Sequence, residues 1–195
     1  MKRRRFLLNT AAAGLAASPL GSVLADDGSL QPTPRDYEGP YYPVGPRHRA
    51  NDLITGRPRD TVLEFGGRVV DVHGAPLAGV VVDIWHTDPL GRYDHPRDTT
   101  PGDRWPDFLY WADTPTDDDG TFRFRTYVPG AYGRRPAHIH YKIWRDRRRL
   151  LTSQMYFREL GGARGASRSP SRSEQQTVAL EPSGDGLRCF LQVVV

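Results

Sequence analysis

The stretch TVLEFGGRVVDVHGAPLAGVVVDIWHT, residues 61–87, carries the pattern that predicts the fold. Its first half alternates apolar with other residues, and this period of two is typical of a β-strand with one buried face. The segment Gly-Ala-Pro-Leu-Ala-Gly then supplies turn residues. VVVDIWHT, residues 80–87, is apolar enough for a strand buried on both faces. Two strands joined by a short turn are therefore expected here.

The same kind of pattern recurs downstream. DDDGTFRFRTYVPG, residues 117–130, has an Asp-Gly turn before an alternating strand. AHIHYKIWRD and LLTSQMYFRE, residues 137–146 and 150–159, predict a hairpin around the basic turn RDRRR, residues 145–149, and LRCFLQVVV, residues 187–195, predicts a last strand. Since no stretch has the period of a long amphipathic helix, the sequence predicts an all-β protein, an antiparallel β-sandwich with long connecting loops.

The chain divides into three parts. Residues 1–25 combine a basic start, an Ala-rich apolar run and a small-residue cleavage site, which together predict an export signal. Arg-Arg-x-Phe-Leu at residues 3–7 resembles a twin-arginine signal, so we expect an exported protein, periplasmic or secreted. The apolar run is too short for a membrane span and argues against a nucleic-acid-binding arm. Residues 26–60 predict an irregular N-terminal arm, and residues 61–195 a β-sandwich domain.

Charge and cysteine content exclude some classes of protein. Four of the 27 basic residues and none of the 23 acidic residues lie in residues 1–25, so the remaining chain is close to neutral and nucleic acid is not an expected partner. The single cysteine, Cys189, excludes an intrachain disulfide and is expected in the core. The turn 145–149 is expected to be solvated, and the Gly/Ser/Arg-rich residues 161–174 to form a mobile loop.

A group of tyrosines and histidines is the candidate site. In RRPAHIHY, residues 134–141, His138 and His140 would share one face of a strand, about 7 Å apart, either as two metal ligands or as ordinary histidines of a half-buried strand. Tyr93 follows a buried strand, and Tyr132 follows a Pro-Gly turn. Phenolate is a hard anionic oxygen donor, and a highly charged cation can lower the pKa of a phenol enough to ionise it; imidazole also suits iron. The set therefore favours ferric iron over zinc, which more often has Cys, His or carboxylate ligands.

Five segments resemble one family when taken in order. They are EGPYYP at 38–43, the stretch from Gly67 to His95, TDDDGTFRFRTYVPGAY at 116–132, RPAHIHYKIW at 135–144 and LLTSQMYF at 150–157. The ordered set resembles the intradiol ring-cleavage dioxygenases, the family of catechol 1,2-dioxygenase and protocatechuate 3,4-dioxygenase.

The resemblance implies a cofactor, a reaction and a ligand set. The cofactor would be non-haem Fe(III), held by Tyr93, Tyr132, His138 and His140 with a solvent hydroxide. The substrates would be a small aromatic diol and O2, and ring cleavage between the two hydroxyl-bearing carbons would give a cis,cis-muconate-type diacid. In this family the diol displaces the hydroxide and one tyrosinate, here Tyr132, and the released groups take up the substrate's protons.

The resemblance also implies roles outside the ligand set. Arg135 would stabilise negative charge on the substrate, although a surface arginine is the alternative, and Gln154 would contact the substrate or support the site. Tyr41 would line the pocket or belong to a packed arm. The turn between Tyr132 and Arg135 is shorter than in better-known members, so Arg134 would favour a carboxylated substrate.

The remaining histidines are expected to be structural. His86, beside Trp85, falls at no ligand position and is interpreted as a structural residue, with Trp85 in the core. His48, His73 and His95 are interpreted as loop or surface residues.

Two alternatives remain on the sequence alone. The segments from Gly67 to Phe124 also resemble carboxypeptidase-regulatory-like and transthyretin-like β-sandwich modules, which bind without catalysis. A family member that binds iron but does not turn over is equally compatible with the ligand set. The sequence predicts no membrane span and leaves a homo-oligomer open.

Overall fold

The computed structural model describes residues 28–46, 48–162 and 174–195. Among these residues the chain forms nine β-strands. They are β1 (Val62–Val70), β2 (Val81–Trp85), β3 (Trp111–Pro115), β4 (Thr121–Tyr127), β5 (His138–Arg145), β6 (Arg148–Phe157), β7 (Thr177–Val178), β8 (Glu181–Ser183) and β9 (Gly186–Val194).

The strands form two sheets that pack as a sandwich. One sheet has the order β4-β1-β9-β8 and the other the order β3-β2-β5-β6-β7. The predicted all-β sandwich is confirmed, and so is the hairpin of β5 and β6. Both sheets are mixed rather than purely antiparallel, because β9 runs parallel to β1 and β7 runs parallel to β6. Both β7 and β9 follow the long connection after β6, and a long connection permits a parallel return.

The alternating sequences bury one face of each strand between the sheets. Phe65 of β1 and Phe122 and Phe124 of β4 fill the core from one sheet, and Ile139 and Ile143 of β5 fill it from the other. Each of these side chains is at most 3% exposed, so their burial supplies a large hydrophobic stabilisation, about 1.5–3 kcal/mol per side chain.

Strand β5 is also buried on the side that faces away from this core. His138, His140 and Lys142 alternate with the core-facing residues, yet each is only 3% exposed. The N-terminal arm and the loops between strands cover this outer side. A sheet face buried in this way under irregular chain is the place where the site lies.

The arm is tied to both sheets by hydrogen bonds. The Thr33 amide donates to the Val194 carbonyl over 3.0 Å, the Asp36 amide donates to the Thr152 carbonyl over 3.0 Å, and the Ser153 hydroxyl donates to the Pro34 carbonyl over 2.7 Å. These contacts fix the path of the segment that leads to Tyr37.

The basic turn caps the hairpin of β5 and β6. Asp146 and Arg147 have φ values of 49° and 66°, the left-handed conformation that both central residues of a type I′ turn adopt.

Cys189 is buried, as expected. The predicted export signal, residues 1–25, and residues 163–173 of the predicted loop lie outside the described residues. No helix in the described part of the chain is long and apolar enough to cross a membrane.

Candidate metal centre

Three donor atoms converge beneath the arm. The Tyr93 Oη lies 3.2 Å from Nε2 of His138 and 3.1 Å from Nε2 of His140, and the two Nε2 atoms are 3.1 Å apart. Each of the three residues is 3% exposed. Ligands held about 2.1 Å from a common metal ion at angles near 90–110° are themselves about 3.0–3.4 Å apart. The spacing of these donor atoms therefore fits ligands of a single metal ion.

Local structure prepares both imidazoles for coordination. The Nδ1 of His138 lies 2.7 Å from the Pro136 carbonyl oxygen, so Nδ1 carries the proton and the Nε2 lone pair is free for a metal. Burial lowers the pKa of His138 to about 4 and also lowers the pKa of His140. His140 stacks on Trp85 with 4.8 Å between ring centroids, and its buried Nδ1 has no hydrogen-bond partner among the described residues. Both rings are therefore neutral at pH 7, the form that binds metals.

Tyr93 is held by the loop that follows β2. The Asp88 carboxylate accepts hydrogen bonds from the Arg92 amide and from Nε of Arg92, and the Asp98 carboxylate accepts one from the Tyr93 amide. Burial raises the pKa of Tyr93. The phenol therefore stays protonated at neutral pH unless a strongly charged cation ionises it.

The loops that carry the two tyrosines are packed backbone to backbone. A Cβ on Gly91, whose φ is +80°, would lie 2.1 Å from the Ala131 carbonyl oxygen. The Gly130 amide donates to the Asp88 carbonyl over 2.9 Å. No side chain larger than hydrogen fits at Gly91, which explains a glycine two residues before Tyr93.

Tyr132 lies beside the three converging donors. It begins a tight turn in which the Tyr132 and Arg135 amides each donate to the other residue's carbonyl, over 3.2 and 2.8 Å. Its half-buried ring is 5.5 Å from the Tyr93 ring, and its hydroxyl is hydrogen-bonded to the hydroxyl of Tyr41. The structure thus brings Tyr93, His138 and His140 together and places the fourth predicted ligand next to them.

Arg135 and Gln154 form a hydrogen-bonded cluster with a residue that sequence analysis missed, Tyr156. The Arg135 guanidinium donates to the Gln154 side-chain oxygen and to the Tyr156 hydroxyl, each over 2.6 Å. The strand register places Gln154 opposite His140 and Tyr156 opposite His138. The alternation of β6 could have identified Tyr156, because it lies two residues beyond Gln154 and on the same face.

The arm supplies an aromatic wall. The Tyr41 ring stacks on the Tyr93 ring at 4.7 Å, and hydrogen bonding to Tyr132 is the main cause that raises the pKa of Tyr41 to about 12. Arg134, by contrast, is exposed. It lines an open cleft of about 370 Å³ together with Ala131, Gly133, Arg135, Pro136 and Gly161.

The other histidines follow the expectations. His86 is fully buried, and its two ring nitrogens lie 2.7 Å from the Thr87 carbonyl oxygen and 2.8 Å from the Thr126 hydroxyl, so the structural interpretation is confirmed. His95 lies in a loop, one of the two expected settings, and is only 6% exposed because its ring packs edge-on against Tyr41.

Trp85 is a buried core residue, as expected. Its ring belongs to a separate aromatic cluster with Tyr93 and Trp111 on the outer side of the sheet. Among the described residues, no three of the common ligand types His, Cys, Asp and Glu cluster together. The oxygen that lies beside the histidine pair is the Tyr93 hydroxyl.

The fold and the site define a β-sandwich with a tyrosine–histidine donor cluster on the outer side of one sheet. The family described as Dioxygenase matches residues 37–161, which is more than half of the chain. The chain belongs to the intradiol ring-cleavage dioxygenase family.

Individual relatives agree with this membership. The chain is 36% identical to the protocatechuate 3,4-dioxygenase beta chain of Burkholderia cepacia, over 55% of this chain and 49% of the relative. It is 33% identical to catechol 1,2-dioxygenase 1 of Acinetobacter lwoffii, over 63% of this chain and 45% of the relative. The chain thus spans about half the length of the curated relatives it matches.

Solved structures share the fold. The dioxygenase domain of a dioxygenase–carbohydrate-binding protein fusion from Streptomyces sp. SirexAA-E superimposes with a TM-score of 0.70 and 30% identity, over 85% of this chain and 98% of that chain. The 3-chlorocatechol 1,2-dioxygenase of Rhodococcus opacus 1CP gives a TM-score of 0.67 and 26% identity, over 85% and 72% of the two chains. The family match favours a dioxygenase over the transthyretin-like module considered from the sequence.

Proposed function

We propose that the chain is an intradiol dioxygenase that uses non-haem Fe(III) and O2 to cleave a catechol-type ring between its two hydroxyl-bearing carbons, giving a cis,cis-muconate-type diacid. The observation that carries the proposal is the convergence of the Tyr93 hydroxyl with Nε2 of His138 and His140 within 3.1–3.2 Å. Ferric iron bound there would supply Lewis acidity and a template for the diol.

The two tyrosines have different surroundings, and this difference suggests different roles. Tyr93 is almost fully buried and packed by Tyr41, which suits a ligand that stays in place. Tyr132 is half-buried and already shares a hydrogen bond with the Tyr41 hydroxyl, which suits a ligand that a substrate oxygen replaces. The Tyr132 Oη would then take up a substrate proton, with the Tyr41 Oη as its hydrogen-bond partner.

Arg135 would stabilise negative charge on the bound diol. Its guanidinium is oriented by Gln154 and Tyr156 and retains further N–H donors, since a guanidinium has five. A charge held in a fixed position before the reaction needs little reorganisation during it. Gln154 would support this arrangement, Tyr41 would form an aromatic wall for the ring, and Arg134 would favour a substrate with a carboxylate near the cleft.

Iron analysis, visible spectroscopy and turnover of the purified protein test the proposal. We expect about one iron per chain, a red-brown tyrosinate-to-Fe(III) charge-transfer band that changes when catechol is added without O2, and O2 uptake with muconate formation. A protein that stays colourless after ferric reconstitution would contradict the proposal. An iron-containing, coloured protein that turns over none of catechol, protocatechuate and hydroxyquinol would be an iron-binding member without activity.

We also propose that the protein acts outside the cytoplasm. The support is the twin-arginine-like sequence of residues 3–7 and the small residues before Asp26. Cell fractionation, with mass spectrometry of the exported protein, should show a chain that begins at Asp26. Replacement of Arg3 and Arg4 by lysine should retain the full-length chain in the cytoplasm.

A further inference from the structure

Lys142 is a buried cation close to the candidate metal centre, and the proposed reaction does not use it. It lies two residues after His140 on β5, so both side chains point to the same side of the sheet. Lys142 is 3% exposed, and its Nζ lies 2.8 Å from a carboxylate oxygen of Glu38 in the arm. An ammonium group removed from water is costly unless it is paired, so the contact with Glu38 is what makes burial of this lysine tolerable.

A second arm residue contacts the same ammonium group. The Nζ of Lys142 lies 3.1 Å from the centroid of the Tyr42 ring and 5.3 Å from that of Trp85, distances at which an ammonium is attracted to an aromatic face. The Tyr42 hydroxyl donates to the Asp83 carboxylate over 2.8 Å, and Asp83 is fully buried. Glu38 and Tyr42 thus bind the same side of the sheet through Lys142.

The residues between these two anchors are the ones that cover the site. A Cβ on Gly39 would lie 3.3 Å from Cε1 of His140, so the arm backbone passes directly over that imidazole. Tyr41 stacks on Tyr93 and is hydrogen-bonded to Tyr132. The position of Tyr41 relative to both tyrosines is therefore set by the anchors on either side of it.

We propose that Lys142 is a positioning residue that, through Glu38 and Tyr42, holds arm residues 38–42 closed over the cluster of Tyr93, His138 and His140. Loss of the ammonium group leaves the Glu38 carboxylate with only the exposed guanidinium of Arg149, 3.7 Å away, as an ion-pair partner, and the arm then gains more from hydration than from closure. Tyr41 moves away with the arm, and the site loses an aromatic wall. The expected effect on catechol binding rests on the proposed function, whereas closure of the arm does not.

Lys142→Met tests the proposal because methionine keeps an unbranched apolar side chain and removes the charge. Hydrogen–deuterium exchange followed by mass spectrometry compares a peptide that contains residues 33–46 with one that contains β9. We expect exchange of the arm peptide to be about tenfold faster in Lys142→Met and in Glu38→Gln, with β9 unchanged. Arg148→Met is the matched control, since it removes a positive charge from an exposed position of the neighbouring strand and should change neither peptide.

The kinetic constants of the iron-containing variants provide a readout that a purely structural role of Lys142 would not change. When the variants are reconstituted with iron to the wild-type content, KM for catechol should be about tenfold higher and kcat should change less than about threefold, because the lost wall contributes to binding. Arm exchange at the wild-type rate in Lys142→Met would overturn the proposal, and so would equal acceleration in β9, which would indicate global destabilisation. If Lys142→Met does not fold, Glu38→Gln tests the proposal instead, because Glu38 is the half-exposed arm residue that pairs with Lys142. A wild type that turns over none of catechol, protocatechuate and hydroxyquinol would overturn the proposed function and leave the exchange test intact.

Discussion

The backbone of Gly39 packs against the imidazole of His140. A Cβ on Gly39 would lie 3.3 Å from Cε1 of His140, and Gly39 has a φ of +78°, in the region that disfavours any residue with a side chain. Two independent constraints, one conformational and one steric, therefore favour glycine at this position. As a result the arm lies close enough to keep water away from one side of a candidate metal ligand.

Replacing this glycine should separate the two constraints. Gly39→Ala should destabilise the protein by about 1 kcal/mol through backbone strain and should also weaken iron binding, because the arm must move away from His140. Urea unfolding of the metal-free protein measures the first effect, and titration with a ferric chelate measures the second.

Gly184→Ala is the control for strain without crowding. Gly184 has a φ of +55° and nothing within 4 Å of the added Cβ. The Gly184→Ala substitution should lower stability by a similar amount and leave iron binding unchanged. Equal iron binding in both variants would show that contact between the arm and His140 does not affect the site.

Removal of the buried Tyr93 hydroxyl should weaken iron binding more than it lowers the stability of the fold. In Tyr93→Phe the two histidines remain, but no buried anionic oxygen balances the charge of Fe(III), so we expect at least about tenfold weaker ferric binding and loss of most of the charge-transfer band. Tyr37→Phe is the matched control because Tyr37 is 67% exposed, and this variant should keep both the ferric affinity and the charge-transfer band of the wild type. Retention of the wild-type band in Tyr93→Phe would remove Tyr93 from the ligand set.

Two adjacent arginines should behave differently. Arg135 is hydrogen-bonded to Gln154 and Tyr156, whereas Arg134 is exposed at the cleft. Arg135→Met should lower kcat for catechol about 100-fold with iron retained, because it removes a fixed positive charge beside the diol. Arg134→Met should leave catechol turnover unchanged and raise KM for protocatechuate, which carries a carboxylate. Similar kinetic losses in both variants on catechol would contradict these separate roles.

The sequence was informative where a regular period exists. Alternation predicted β1, β4 and the hairpin of β5 and β6, and it placed His138 and His140 on one face. It did not predict that β9 runs parallel to β1, because a strand's own pattern does not specify its neighbour or direction.

The packing of the N-terminal arm over the site was harder to predict from the sequence. Glu38 and Lys142 are 104 positions apart, and the arm has no period from which their pairing could be derived. The irregular path of the arm also explains why the burial of the loop residue His95 was not predicted, since it depends on contact with Tyr41 rather than on any pattern around it. Tyr156, by contrast, lies in a regular strand and could have been found.

A buried histidine outside the candidate metal centre should make stability depend on pH. Burial lowers the pKa of His86 from 6.5 to about 4, so between these values the unfolded chain binds more protons than the folded protein, and stability falls as the pH decreases through this window. For the metal-free protein we expect His86 to contribute about 2 kcal/mol to the loss of unfolding free energy between pH 7 and pH 5. His86→Gln should lower stability at pH 7 but make its further loss toward pH 5 smaller by about that amount, as measured by urea unfolding at the two pH values. His73→Gln, at an exposed position, should retain the wild-type pH dependence, and an unchanged loss in His86→Gln would show that this histidine is not what couples stability to pH.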